Sequence, residues 1–261
     1  MKRFATLSIF FISFSTFLLA EETLKIGVTA GPHLEIMEYL KPKAKEQGLT
    51  LKIVEFNDFI LPNRALAEGD LDANSYQHQP FLDEQIKDRG YKLVSVGKTI
   101  LLPLGVYTKK KNIHQLSDLK PKARVAIPND PTNGGRALLL LAKEGVITLK
   151  PGAGITPSKL DIAENPKKLK FIELEAPQIP RSLDDVDVGI INTDWALLAG
   201  LNPEKDTIAH EGTDSPYANI VVVRLEDRDS AKVKQFLAIY QTDETKAFIQ
   251  KKFGSAIIPA W

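Results

Sequence analysis

The chain has 261 residues, 43% of them hydrophobic, and no cysteine; it is long enough to bury its own core and lacks disulfides, thiolate metal ligands and a cysteine nucleophile. Its 34 basic and 33 acidic residues leave a formal charge of +1, which argues against nucleic acid as a partner. The densest basic run, Lys109-Lys110-Lys111, reads as a solvated face.

The first residues stand apart from the rest. Lys2 and Arg3 precede an apolar run over residues 4–19, and Ala20 precedes Glu21 and Glu22, the order of parts in a secretory signal. The run is interrupted by Thr6, Ser8, Ser13, Ser15 and Thr16 and is shorter than the ~20 apolar residues a spanning helix needs. A cleaved signal over residues 1–20 is therefore expected, with an uncleaved anchor as the alternative. No later segment is apolar enough to span a membrane, so any role in transport requires separate membrane partners.

From residue 24 onward, short β-rich runs alternate with helical patterns. Strands are predicted at 24–28, 51–56, 71–73, 93–96, 124–127, 169–174 and 186–191, an alternation that implies parallel sheets covered by helices. A helix is expected from near Leu34, with Pro42 kinking or ending it because proline lacks the backbone donor. The stretch "RALLLLAKE", 136–144, follows Gly134-Gly135 and stops at Gly145, where a left-handed residue is wanted. Near the C-terminus, Val233, Phe236, Leu237 and Tyr240 make one apolar stripe of a helix that Asp229 or Ser230 would cap.

Four polar or aromatic stretches are placed at strand ends: "EFNDF", "DANSYQH", "PNDPTNGGR" and "INTDW". Loops at the carboxyl ends of parallel strands converge on a ligand crevice, so these four predict one shared site. "NDPTNGGRALLLL" lacks the spacing of a phosphate loop or a dinucleotide fingerprint. It offers instead a helix amino terminus with Arg136 in the first turn, where a cation opposes the helix dipole unless an anion is near; a small carboxylate fits. Asn192 and Asn219 could meet an ammonium through their oxygens or a carboxylate through their amides, and with Arg136 they form an amino-acid clamp. No nucleophile elbow or zincin motif occurs, and His33, His78, His114 and His210 lack metal-ligand spacing, so neither a metal nor a catalytic set is expected. Taken alone, His78 reads as a hydrogen-bonded structural histidine between Tyr76 and Phe81.

The string "EFNDFILPNRALAEGDLDANSYQHQPFLDEQIKDRGYKLVSVG", with "VAIPNDPTNGGRALLLL", "ELEAPQIPRSLDD", "INTDWA" and "SPYANIVVVR", closely resembles the NlpA/MetQ family of methionine-binding solute-binding proteins, over residues 24–261. The resemblance implies a type II periplasmic-binding-protein fold, two α/β lobes joined by two hinge strands. Lobe 1 would comprise 21–104 plus 220–261 and lobe 2 would comprise 105–219, with crossovers near 103–106 and 217–220. It also implies a periplasmic monomer without cofactor that delivers methionine to an ABC permease and its ATPase, both separate chains.

Carried over by position, Arg136 takes the carboxylate, Asn192 and Asn219 hold the amino-acid head group, and Phe59, Tyr76, His78 and Phe81 line a side-chain pocket suited to a thioether. Two departures stand out. Family members carry a lipid-bearing cysteine after the signal, whereas this chain reads "FLLAEE"; Phe59 stands where relatives often have tyrosine. A free periplasmic protein is therefore expected. Alternative readings are a binding protein for a methionine-containing dipeptide or another hydrophobic amino acid, and a surface antigen or adhesin on the same scaffold; an enzyme is the weakest.

Overall fold

The computed structural model describes residues 22–261, so the expected signal or anchor lies outside the described residues. The chain opens with β1 (Glu22–Thr29), α1 (Pro32–Glu46), β2 (Leu49–Phe56), α2 (Leu61–Ala67), β3 (Ala73–His78), α3 (Gln79–Arg89), β4 (Leu93–Lys98) and the short β5 (Ile100–Leu101). It then builds β6 (Gly105–Tyr107), β7 (Arg124–Pro128), α4 (Pro131–Lys143), the pair β8 (Thr148–Leu149) and β9 (Ile162–Glu164), β10 (Lys170–Leu174), α5 (Ile179–Ser182), β11 (Val188–Ile191), α6 (Thr193–Leu198) and β12 (Thr207–His210). The return runs through β13 (Asn219–Arg224), α7 (Ala231–Tyr240), α8 (Asp243–Phe253) and β14 (Ile258–Pro259).

Two five-stranded sheets result, ordered β2-β1-β3-β13-β4 and β10-β7-β11-β6-β12. Each contains a strand reached by a crossover from the other sheet: β13 runs antiparallel between β3 and β4, and β6 runs antiparallel between β11 and β12. This is the two-lobed α/β architecture of the type II binding-protein fold. The β3–β13 register sets Asn219, the first residue of β13, opposite His78, the last of β3. No described helix is long and apolar enough to cross a membrane.

Each sheet has its own core. Around the first, Leu24, Ile26 and Val28 of β1 pack with Ile36, Met37 and Leu40 of α1 and with Val233, Phe236 and Tyr240 of α7. The predicted C-terminal stripe is thus buried except for half-buried Leu237; Ser230 is the N-cap residue of α7, but its side chain makes no capping bond. Around the second, Val125 and Ile127 of β7 and Val188 and Ile190 of β11 meet Ala137, Leu138 and Leu141 of α4.

Of the two outcomes expected at Pro42, a kink or a stop, the stop does not occur: the helix runs from Pro32 to Glu46, and Pro42 is exposed, so water can serve the carbonyl its missing donor leaves free. Two expectations need correction. The third strand is Ala73–His78 rather than 71–73, which makes "DANSYQH" mostly strand. The helix expected from Arg136 begins at Pro131, with Asp130 as its N-cap, so Arg136 lies in its second turn rather than its first. The argument from an unfavourable first-turn cation therefore falls. The predicted stop is present: Gly145 follows the C-cap with φ 70.

Gly134 and Gly135 sit inside α4 because other backbone approaches it there. A Cβ on Gly134 would lie 2.7 Å from the Pro128 carbonyl oxygen, and one on Gly135 would lie 2.8 Å from Thr156 Cα. Gly135→Ala gains up to about 1 kcal/mol in helix propensity but overpacks rigid backbone at roughly 1–3 kcal/mol. It is expected to lower the urea midpoint; a more stable variant would show that the 156–157 segment yields freely.

Candidate functional site

The stretch that looked most like a loop is a buried strand. All six residues of β3 are buried, and the amides of Asn74 and Gln77 bond Asn63 of α2. Asn63 Nδ2 donates to Gln77 Oε1 at 2.8 Å, Gln77 Nε2 donates to Asn63 Oδ1 at 2.6 Å, and Asn74 Nδ2 donates to Asn63 Oδ1 at 2.9 Å. This closed amide set fixes β3 against α2 and leaves Tyr76 and His78 at the carboxyl end of the strand.

His78 is also the N-cap of α3. Its Nδ1 accepts from the Phe81 backbone N at 3.2 Å, so the neutral ring carries its proton on Nε2, which faces Asn133 Oδ1 at 3.3 Å. Burial, with Arg136 adding to it, pushes the His78 pKa from 6.5 down to about 3. A donor is required on Nε2, because Asn133 presents an oxygen there. Asp130 enforces that orientation: its carboxylate accepts from Asn133 Nδ2 at 3.2 and 3.0 Å and also caps α4.

The same Asn133 Oδ1 accepts from Asn192 Nδ2 at 2.9 Å. Asn192 therefore turns its oxygen the other way, and that buried Oδ1 has no donor among the described residues. Asn219 is oriented by a separate pair of contacts: its Nδ2 donates to His33 Nε2 at 2.9 Å and to the Tyr76 carbonyl at 3.1 Å. No donor to its oxygen occurs among the described residues. Both asparagines thus offer acceptors to whatever they face.

Arg136 is held by a residue that sequence reading missed. Its Nε donates to Glu211 Oε1 at 2.6 Å, while Nη2 donates to Glu211 Oε2 and, at 2.9 Å, to the Leu102 carbonyl. Glu211 Oε2 also accepts from Leu104 N at 3.0 Å, which ties the pair to the segment leading from β5 to β6. The Tyr217 ring covers the guanidinium at 4.4 Å. Among the described residues Nη1 has no acceptor, so one edge of the fork stays available.

All seven residues singled out in the sequence line one cavity, together with Gln77, Leu102, Asn133 and Asp194. Its volume is about 30 Å³, room for roughly two or three water molecules, so its walls stand close together. Its apolar side is a ring cluster in which Phe59 lies 6.1 Å from Tyr76, 6.2 Å from Phe81 and 5.4 Å from Trp195. The Tyr76 hydroxyl is occupied, donating to the Phe59 carbonyl at 2.9 Å, so the rings present apolar faces to the space. Asn133 and Asp194 lay inside quoted motifs without being singled out; His33 and Glu211 carried no local signal.

A family model described as NlpA lipoprotein matches residues 24–261. The chain belongs to the NlpA lipoprotein family. It is similar to the D-methionine-binding lipoprotein MetQ of Salmonella typhimurium, 52% identical over 241 residues that span 91% of this chain and 88% of that protein. The protein of the same name from Escherichia coli is 48% identical over 241 residues, again 91% of this chain and 88% of its own length. The solved structure of a nutrient binding protein from Burkholderia cenocepacia bound to methionine matches with a TM-score of 0.88 at 52% identity, covering 91% of this chain and all of that one.

In this NlpA family member two histidines are buried neutral behind the polar wall. His33, like His78, is pushed by burial from 6.5 down to about 3. The unfolded chain takes up a proton at each near the ordinary value, whereas the folded chain cannot until about 3, so their contribution is full above 6.5 and lost as pH falls. Asp194 opposes one of them: burial raises its carboxyl to about 7, so the folded chain holds a proton there that the unfolded chain releases. Stability is expected to fall by up to ~1.4 kcal/mol per pH unit between roughly pH 6 and pH 4. His33→Gln should flatten that slope in urea titrations at the two pH values; an unchanged slope would mean that His33 titrates normally in the fold.

Proposed function

We propose that the chain is an extracytoplasmic solute-binding protein that captures methionine between its two lobes and presents it to an ABC permease and its ATPase. The observation that carries this reading is the cavity wall: the buried Asn192 Oδ1, which has no donor among the described residues, and Asn219, whose amide nitrogen is the atom bonded within the protein, stand beside the open edge of the Arg136 guanidinium and opposite a cluster of rings. Acceptors suit an α-ammonium, the guanidinium suits an α-carboxylate, and the rings suit a thioether, for which each sulfur–aromatic contact contributes about 0.3–1.5 kcal/mol.

In this reading the lobes divide as 21–104 plus 220–261 and 105–219, with hinges at the two crossovers. Phe59, Tyr76, His78 and Phe81 then belong to the first lobe and Arg136 and Asn192 to the second, while Asn219 is the last residue before the return to the first lobe and opens β13 of the first sheet. A solute that touches both favours closure through its differential affinity for the closed form. The names of the relatives support methionine as the solute, in the D form for the MetQ proteins. Without a cysteine to carry lipid, the mature protein acts as a free periplasmic monomer that needs no cofactor.

Calorimetry with L- and D-methionine, and native mass spectrometry of freshly purified protein, test the reading directly; absence of binding by both enantiomers would refute it. Asn219→Ala removes one acceptor for a charged donor, about 1.5–3 kcal/mol, and is expected to weaken binding by about tenfold or more. Arg136→Ala should weaken it at least as much and also lower thermal stability, because Glu211 is left buried without its partner. Unchanged affinity in either variant would remove that residue from the site.

A further inference from the structure

We infer that Asp194 is the counter-ion for the α-ammonium of the captured amino acid and gives up its proton to solvent as the solute seats. The inference rests on the proposed amino-acid site and adds to it a residue, a charge state and a proton.

Asp194 is 3% exposed and lines the same cavity as Arg136 and Asn192. Its Oδ1 accepts from the Trp195 backbone N at 3.0 Å, and no cation among the described residues forms an ion pair with it. It stands two residues after Asn192, whose Oδ1 faces no donor. The end of the cavity formed by the start of α6 is therefore a cluster of acceptors.

Local pairing of the ammonium calls for a carboxylate beside it. Arg136 is already neutralised by Glu211, so a zwitterionic solute that places its carboxylate on the remaining guanidinium edge brings an ammonium into a buried site. Neutral amide oxygens alone would leave that charge unpaired, which is costly in a desolvated pocket. An ionised Asp194 would face that ammonium directly; the loaded site then carries a net charge of −1, whose cost the pairing must offset. Before the solute arrives the same desolvation acts on Asp194 itself and raises its carboxyl to about 7, against the attraction of Arg136.

The buried histidines and Tyr76 around it do not change charge near neutral pH. His78 at the end of β3 and His33 on α1 are neutral down to about 3. Tyr76 on β3 is held protonated by burial, and Glu211 is locked to Arg136. Glu35 on α1 is paired with Lys252 at 2.8 Å. Binding accordingly converts a carboxylic acid into a carboxylate that faces the ammonium, and the released proton passes to the buffer.

The test is calorimetry of L-methionine binding in buffers of different ionisation enthalpy, at about pH 6 and about pH 8, with wild type and Asp194→Asn. Wild type is expected to release close to one proton per methionine near pH 6 and far less near pH 8. Asp194→Asn should abolish the release and weaken methionine at least about tenfold near pH 8. It should leave the affinity for methylthiobutyrate, methionine without its amino group, no worse than wild type. Methionine binding to wild type without proton release near pH 6 would overturn the inference, even if the variant failed to fold, and would leave the proposed solute intact. Loss of methionine binding by wild type itself would instead count against the solute.

Discussion

The buried ion pair of Arg136 and Glu211 fixes the geometry on which the cavity depends. Their side chains are 3% and 10% exposed, and removing two charges from water is repaid only where their remaining donors and acceptors are also satisfied. Here the Leu102 carbonyl, the Leu104 N–H and the Ser215 hydroxyl add to the pair, and Nη1 is left without an acceptor among the described residues. Residues 102–104 lead from the first sheet to the second, so the guanidinium is fixed to the crossover itself. The pair occupies Nε and one Nη, Tyr217 covers a face, and the fork is reduced to a single directed edge.

The direction of the asparagine amides is settled in a similar way, by residues that do not face the cavity. Asparagine oxygen and nitrogen are interchangeable in shape, and the sequence left both roles open for Asn192 and Asn219. The Asp130 carboxylate accepts only, which turns Asn133 Nδ2 toward it and Asn133 Oδ1 toward His78 and Asn192. For Asn219, the Tyr76 carbonyl is an obligate acceptor, so the nitrogen must point there. Two anchors, one a helix cap and one a strand carbonyl, thereby set the polarity of a whole wall. They select an ammonium over a carboxylate at both asparagines.

This division between local and distant causes also explains what could be read from the sequence. The alternation of strands and helices, the stripe on α7 and the left-handed stop at Gly145 are encoded within a few residues, and all are present. "DANSYQH" misleads because hydropathy counts its amides as solvent-seeking, whereas Asn74 and Gln77 are satisfied by Asn63 on another element. The glycine pair before Arg136 misleads because it answers to backbone packed against α4, at Pro128 and Thr156, and not to the start of a helix. Glu211 and His33 are 75 and 186 residues from the side chains they hold, beyond the reach of any periodicity or spacing.

Two of the contacts that join the walls of the cavity are weak. His78 meets Asn133 at 3.3 Å, near the limit of a useful hydrogen bond, and Phe59 meets Trp195 with ring centroids 5.4 Å apart. Contacts of this kind contribute on the order of 1 kcal/mol each, far less than the ~5.5 kcal/mol of differential affinity that carries a two-state equilibrium from almost wholly open to almost wholly closed. A solute spanning the walls supplies the difference only if its charged groups meet partners on both sides. The guanidinium edge and Asn192 lie on the α4 and α6 side, while Asn219 and the rings of β3 and α3 lie opposite. On the proposed reading, an ammonium reached by Asn192 from one side and Asn219 from the other is the group that converts binding into closure. A ligand lacking that group would keep the aromatic contacts and lose the bridge.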